Sequence, residues 1–157
     1  MNPMDILVVD DKPLVLTVLT RLLTGIGYNV VTACNGLDGF EKAQQGNFQL
    51  FIIDHLMPVM NGAQLAKNLK QTKQTALTPI IFMTTQDVSR IAGIDEAVFF
   101  DSIIAKPIDN QKLLSSIEKL VDLSPLYQSL WKFSASVTIK VRSFALFFSY
   151  KNLWLTK

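Results

Sequence analysis

The chain has 157 residues, 49% of them hydrophobic and 18% charged, which fits one globular domain with its own core and excludes a disordered chain. A single cysteine, Cys34, and a single histidine, His55, exclude an intrachain disulfide framework and a Cys/His zinc cluster. The net charge of +2 is unevenly spread: residues 1–122 hold all 13 acids and 10 of the 15 bases, net −3, while residues 123–157 hold the other 5 bases and no acid, so the basic character belongs to the tail and is not a nucleic-acid footprint of the whole chain.

The N-terminus carries no basic region ahead of Ile6-Leu7-Val8-Val9, and that apolar run ends in two acids. No stretch reaches the roughly 18 uncharged apolar residues of a membrane span. The expected location is cytoplasmic, and Cys34 is expected to be a small buried hydrophobe in a reducing compartment. Strands and helices then alternate. Asp5–Val9 reads as a buried strand, and Pro13–Thr24 as a helix with proline in its first turn and Gly25 and Gly27 as stops. Tyr28–Ala33 is a second strand, Gly36–Gln45 a short helix and Leu50–Ile53 an apolar third strand running into Asp54. Gly62–Lys70 is a polar-rich helix, Pro79–Met83 a fourth strand, Val88–Ala97 a weaker helix, Ser102–Ala105 a fifth strand and Asn110–Val121 a last helix. Five apolar strands separated by helices predict a parallel α/β sheet covered on both faces.

The alternation stops near Ser124-Pro125. The expected division is therefore a domain over 1–122 and a basic, aromatic-rich tail over 123–157. The tail holds 8 aromatic residues against 7 in the first 122, and Val137–Arg142 alternates like a strand. It reads as the start of a truncated output region or an unselected extension, in preference to a segment that docks on a partner or an anionic membrane. Helix-turn-helix recognition needs two helices, and a tail that reads mostly as strand predicts no DNA binding from this chain.

In an open parallel sheet the ligand crevice lies outside the carboxyl ends of the strands. The telling polar residues fall at such ends: Asp10 and Asp11 after the first strand, Asp54 after the third, Thr84 after the fourth and Lys106 after the fifth. Loops are wet, so any one of these residues alone would mean little; all of them together point to one site. Three carboxylates in one crevice repel unless a cation sits among them, and oxygen donors suit Mg²⁺. Mg²⁺ would neutralise an incoming phosphoryl group, Asp54 would be the nucleophile, Lys106 would pair with a phosphoryl oxygen, and Thr84 would donate its hydroxyl to another.

Val8-Val9-Asp10-Asp11, the run from Asp54 through Met57-Pro58 to Asn61-Gly62, Pro79–Thr84 and Lys106-Pro107 occur in the order and near the spacing of a known family. Over about residues 4–122 the chain resembles a response-regulator receiver domain of two-component signalling. The resemblance implies a flavodoxin-like doubly wound sheet of strand order 2-1-3-4-5. It implies Asp54 as phosphoacceptor from a sensor histidine kinase or histidine phosphotransfer protein. Asp11 would be a direct Mg²⁺ ligand, Asp10 would hold the ion largely through water, and the Leu56 backbone carbonyl would fall at the metal. Thr84 would be the switch hydroxyl, and Lys106 the phosphate-contacting lysine before an often cis bond to Pro107.

There are departures from the family pattern. Thr85 stands where a small residue is usual, and Ile103 where an aromatic is usual, so aromatic rotamer flipping at 103 cannot report phosphorylation. The glycine usual before the fifth strand is missing from Phe99-Phe100-Asp101-Ser102, whose two phenylalanines read as core packing. His55 reads as a loop side chain.

The function read from the sequence is a phosphorylation-dependent switch that changes partner affinity. It would catalyse its own phosphorylation and slow autodephosphorylation without being a turnover enzyme. An aspartyl-phosphate phosphatase would carry a second acid two residues after the nucleophile, where this chain has Leu56. The alternatives are a phosphorylation-independent pseudo-receiver, which the intact set of polar residues opposes, and the receiver fragment of a longer regulator.

Overall fold

A computed structural model describes residues 3–121. The 122/123 boundary and the tail readings lie outside the described residues. Five strands, β1 (Asp5–Val9), β2 (Asn29–Ala33), β3 (Leu50–Asp54), β4 (Ile80–Thr84) and β5 (Ser102–Ala105), form one parallel sheet of order β2-β1-β3-β4-β5. The helices are α1 (Pro13–Gly25), α2 (Gly36–Gln45), α3 (Gly62–Gln71), α4 (Val88–Ala92) and α5 (residues 110–121). The expected flavodoxin-like architecture and strand order are those observed.

Side-chain alternation along the strands divides the core in two. Ile6, Val8, Leu50, Ile52, Ile81 and Met83 pack with Leu19 and Leu23 of α1 and with Leu113 and Ile117 of α5. Leu7, Val9, Phe51, Ile53, Ile80 and Phe82 pack with Ala43 of α2, with Leu65 and Leu69 of α3 and with Ile91 of α4. With helices on both faces, β3 and β4 are buried at every residue, which is why they read as unbroken apolar runs.

The helix starts follow local chemistry. Pro13 opens α1 without a side-chain cap. The Asn35 side chain accepts from the Asp38 amide at 2.9 Å, the Asn61 side chain from the Gln64 amide at 2.9 Å, and Asp109 Oδ1 from the amides of Gln111 and Lys112 at 2.9 and 3.1 Å.

Two expectations need correction. The weak helix over Val88–Ala97 is instead a five-residue α4 that stops at Gly93, followed by a 3-10 turn over Asp95–Phe99. Glycine in a helix interior costs about 1 kcal/mol relative to alanine, and this short segment has little packing to offset that. Cys34 is exposed, not buried. It follows edge strand β2, whose last residue, Ala33, takes the core-facing position, so alternation turns Cys34 outward. Its amide donates to Asp38 Oδ2 at 3.0 Å. Among the described residues no helix is long and apolar enough to cross a membrane.

Candidate functional site at the carboxyl edge of the sheet

The first crossover leaves β1 toward β2 and the next strand returns on the other side, as β3, so a crevice opens beside the ends of β1 and β3. Asp10 stands at that point, fully buried, and its amide donates to the Ala33 carbonyl at 3.1 Å. Asp10 Oδ1 accepts from the Lys12 amide at 2.9 Å, a local turn that fixes the carboxylate. Asp54 is the last residue of β3, 3% exposed, and its Oδ2 accepts from the Leu56 amide at 3.1 Å. Carboxylate oxygens of Asp10, Asp11 and Asp54 all lie within 4.8 Å of one another.

Lys106 enters from the end of β5. Its amide donates to the Thr84 carbonyl at 2.7 Å, and its Nζ lies 2.5 Å from both Asp10 Oδ2 and Asp54 Oδ1. The bond to Pro107 is cis. Burial pushes the Asp54 carboxyl above its ordinary range; Lys106 opposes this and the Asp10 charge adds to it. Burial works against the Lys106 ammonium, but its bonds to Asp10 and Asp54 outweigh that and hold it above the ordinary lysine range. One ammonium faces three carboxylates, which leaves two negative charges over. Lys12 meets Asp11 only at 3.5 Å and is well exposed, so it offsets little of this excess. A compact, all-oxygen, doubly negative cluster fits a small divalent cation.

Thr84, the last residue of β4, is fully buried. Its Oγ1 accepts from the Gln86 amide at 3.0 Å and lies 3.1 Å from His55 Nδ1. The His55 ring tilts against Phe82 at 5.3 Å between centroids, and Phe82 stacks on Phe100 at 3.8 Å. His55 lies in the loop just past β3, as expected, but its ring is packed on Phe82 and its Nδ1 meets Thr84. The β3–β4 register pairs Asp54 with Met83, so the next residues on the two strands, His55 and Thr84, lie side by side. Sequence reasoning had the strand order but did not carry the register one residue past the strand ends. Burial lowers the His55 pKa, with the Asp54 charge opposing.

The loop after β3 is held from both sides. The Gly62 amide donates to the His55 carbonyl at 2.9 Å. A Cβ at Gly62 would lie 2.0 Å from the Asp54 carbonyl oxygen, and one at Gly36 would lie 2.2 Å from the Met60 carbonyl oxygen. Between these clamps Val59 adopts φ 68°, a left-handed backbone that a β-branched residue rarely takes. The structure thus brings Asp10, Asp11, Asp54 and Lys106 into one cluster and sets Thr84 on the neighbouring strand end, with its hydroxyl on His55. Leu56 follows with its amide on Asp54 and its side chain half exposed.

Residues 6–118 match the family described as the response regulator receiver domain. This chain belongs to that family. Receiver domains are phosphorylation switches of two-component systems, not metabolic enzymes, and they bind Mg²⁺ at an acidic pocket. The chain is 37% identical over 112 residues, 70% of its length, to a probable transcriptional regulator, ycf29, of Pyropia yezoensis, covering 50% of that protein. It spans about half the length of the curated relatives it matches. Among solved structures it resembles the chemotaxis protein CheY4 of Vibrio cholerae, with 30% identity and a TM-score of 0.71 over 75% of this chain and 98% of that one. It also resembles the response regulator TrrA of Thermotoga maritima in complex with Mg²⁺-BeF, with 30% identity and a TM-score of 0.69 over 74% of this chain and 98% of that one.

Proposed function

We propose that this receiver accepts a phosphoryl group on Asp54 from the phosphohistidine of a sensor histidine kinase or histidine phosphotransfer protein, and that the modified domain changes its affinity for a downstream partner. The observation that supports this most strongly is the doubly negative cluster of Asp10, Asp11 and Asp54, with Lys106 Nζ 2.5 Å from two of the three carboxylates. Mg²⁺ would be held by Asp11, Asp54 and the Leu56 carbonyl directly and by Asp10 largely through water, and it would supply positive charge for the transferring phosphoryl oxygens. The Mg²⁺-BeF complex of the Thermotoga relative supports that choice of ion.

An Asp54 carboxylate oxygen attacks phosphorus as the donor's P–N bond breaks, and the bond's electrons leave on the imidazole nitrogen, which takes a proton. Asp54 thereby exchanges a carboxylate for an acyl phosphate with more charge and more acceptor oxygens. Lys106, now ion-paired to Asp54 Oδ1, transfers to a phosphoryl oxygen, and the Thr84 hydroxyl donates to another. Both residues sit at strand ends, so their movement carries the loops after β4 and β5 with them. Slow self-dephosphorylation resets the switch, since Leu56 offers no acid or base to speed it.

The test is intact mass after incubation with phosphoramidate and Mg²⁺. The wild type gains one phosphoryl group and Asp54→Asn gains none. Equal labelling of both proteins would refute the assignment.

A further inference from the structure

The Thr84 hydroxyl has one proton to give. Its oxygen already accepts from the Gln86 amide at 3.0 Å, and 3.1 Å away lies Nδ1 of a His55 ring. In the tautomer that carries its proton on Nε2, Nδ1 is the acceptor for that hydroxyl proton. The ring is itself held in place. The His55 amide donates to the Met83 carbonyl and its carbonyl accepts from the Gly62 amide, both at 2.9 Å, while its face rests against Phe82, which stacks on Phe100. In that tautomer a phosphoryl oxygen that is to receive the Thr84 proton must first take it from Nδ1.

We propose that His55 is a positioning residue that keeps the Thr84 hydroxyl engaged until a phosphoryl group competes for it, so that the Thr84–His55 bond sets the threshold of the switch. The inference rests on the phosphoacceptor reading above. It assigns to the Asp54-adjacent residue a restraint that Ile103, with no polar atom and no aromatic ring, cannot exert. Release of the bond also leaves the ring free to shift against Phe82, which links the event to Phe100, two residues before β5.

Two substitutions separate the acceptor from the ring. His55→Phe keeps a ring on Phe82 and removes the acceptor. His55→Asn removes the ring and keeps an oxygen near the Nδ1 position. The probe is beryllofluoride with saturating Mg²⁺, titrated at one fixed pH against the wild type, both variants, Thr84→Val and the His55→Phe/Thr84→Val double variant. Losing one competing hydrogen bond corresponds to about a three- to tenfold gain in affinity. The expected result is that gain in His55→Phe, wild-type-like affinity in His55→Asn, and no further effect of His55→Phe once Thr84 is valine. A merely structural ring would reverse the order, with Asn the more disturbed and Phe near wild type, and that result would overturn the proposal. So would an equal His55→Phe effect with and without the Thr84 hydroxyl. Should beryllofluoride bind none of the proteins, the phosphoacceptor reading fails. The Gln86 amide shift then decides the hydrogen bond by itself: it must move in His55→Phe and stay in His55→Asn.

Discussion

Gly62 is the residue through which a single methyl group tests whether the fold positions the site. A Cβ there would sit 2.0 Å from the Asp54 carbonyl oxygen, about 1 Å inside the 3.0 Å that real contacts respect, and 3.0 Å from the edge of the Phe82 ring. Neither side yields easily. Asp54 is the last residue of β3, paired with Met83 on β4, and Gly62 opens α3 directly after its Asn61 cap. Overpacking of this kind costs about 3 kcal/mol, at the upper end of the usual range because backbone, not a side chain, must move. In a domain of this size each kcal/mol lowers Tm by about 4 °C, so Gly62→Ala should melt about 12 °C lower. The atom displaced belongs to Asp54, and a misplacement near 1 Å costs a reacting group about 100-fold in rate. Thermal unfolding by circular dichroism and initial phosphorylation rates with a small-molecule donor measure both effects. Gly25→Ala is the control, since a Cβ there meets nothing within 4 Å. A Gly62→Ala protein that melts within about 2 °C of wild type and labels at the wild-type rate would refute the reasoning.

The remaining expectations concern charge and strain. Because the folded state raises the Asp54 pKa, the folded protein binds that proton more tightly than the unfolded chain. The wild type therefore loses stability as pH rises from the unfolded carboxyl value, about 3.9, through the raised folded value. Asparagine does not titrate, so Asp54→Asn should match wild type below that window and be the more stable of the two at neutral pH. Urea midpoints across the acid range measure this, and a constant difference at every pH would contradict it. Val59 holds φ 68° while 79% exposed, so it bears backbone strain and contributes little burial. Val59→Asn should raise stability by about 1 kcal/mol, and a lower Tm would show that the loop gains from valine in a way the geometry does not reveal.

Most of the fold could be read from the sequence because the central strands β1, β3 and β4 are short, apolar and buried almost throughout, while turn and cap residues such as Pro13, Asn35, Asn61 and Asp109 mark where helices begin. Where the reading failed, the deciding quantity was tertiary. A helix over Val88–Ala97 is plausible locally, yet Gly93 falls in its middle and only Ile91 of α4 is buried, so packing does not rescue it. Cys34 lies one residue past edge strand β2, and its exposure follows from alternation beyond the inward-facing Ala33, which was not carried past the strand end. At the site, five polar residues at strand ends were legible because strand ends in a parallel sheet converge. The His55–Thr84 pair was not, because it depends on the β3–β4 register one residue beyond the last apolar position.

The central claim is that Asp54, and no other group, carries the phosphoryl bond. Borohydride reduction converts an acyl phosphate to an alcohol and leaves a phosphohistidine unreduced. Wild-type protein phosphorylated with Mg²⁺ present, reduced and then mapped by tandem mass spectrometry should carry homoserine at position 54. Reduction at Asp10 or Asp11, or a phosphoryl group on His55 with residue 54 unchanged, would contradict the account.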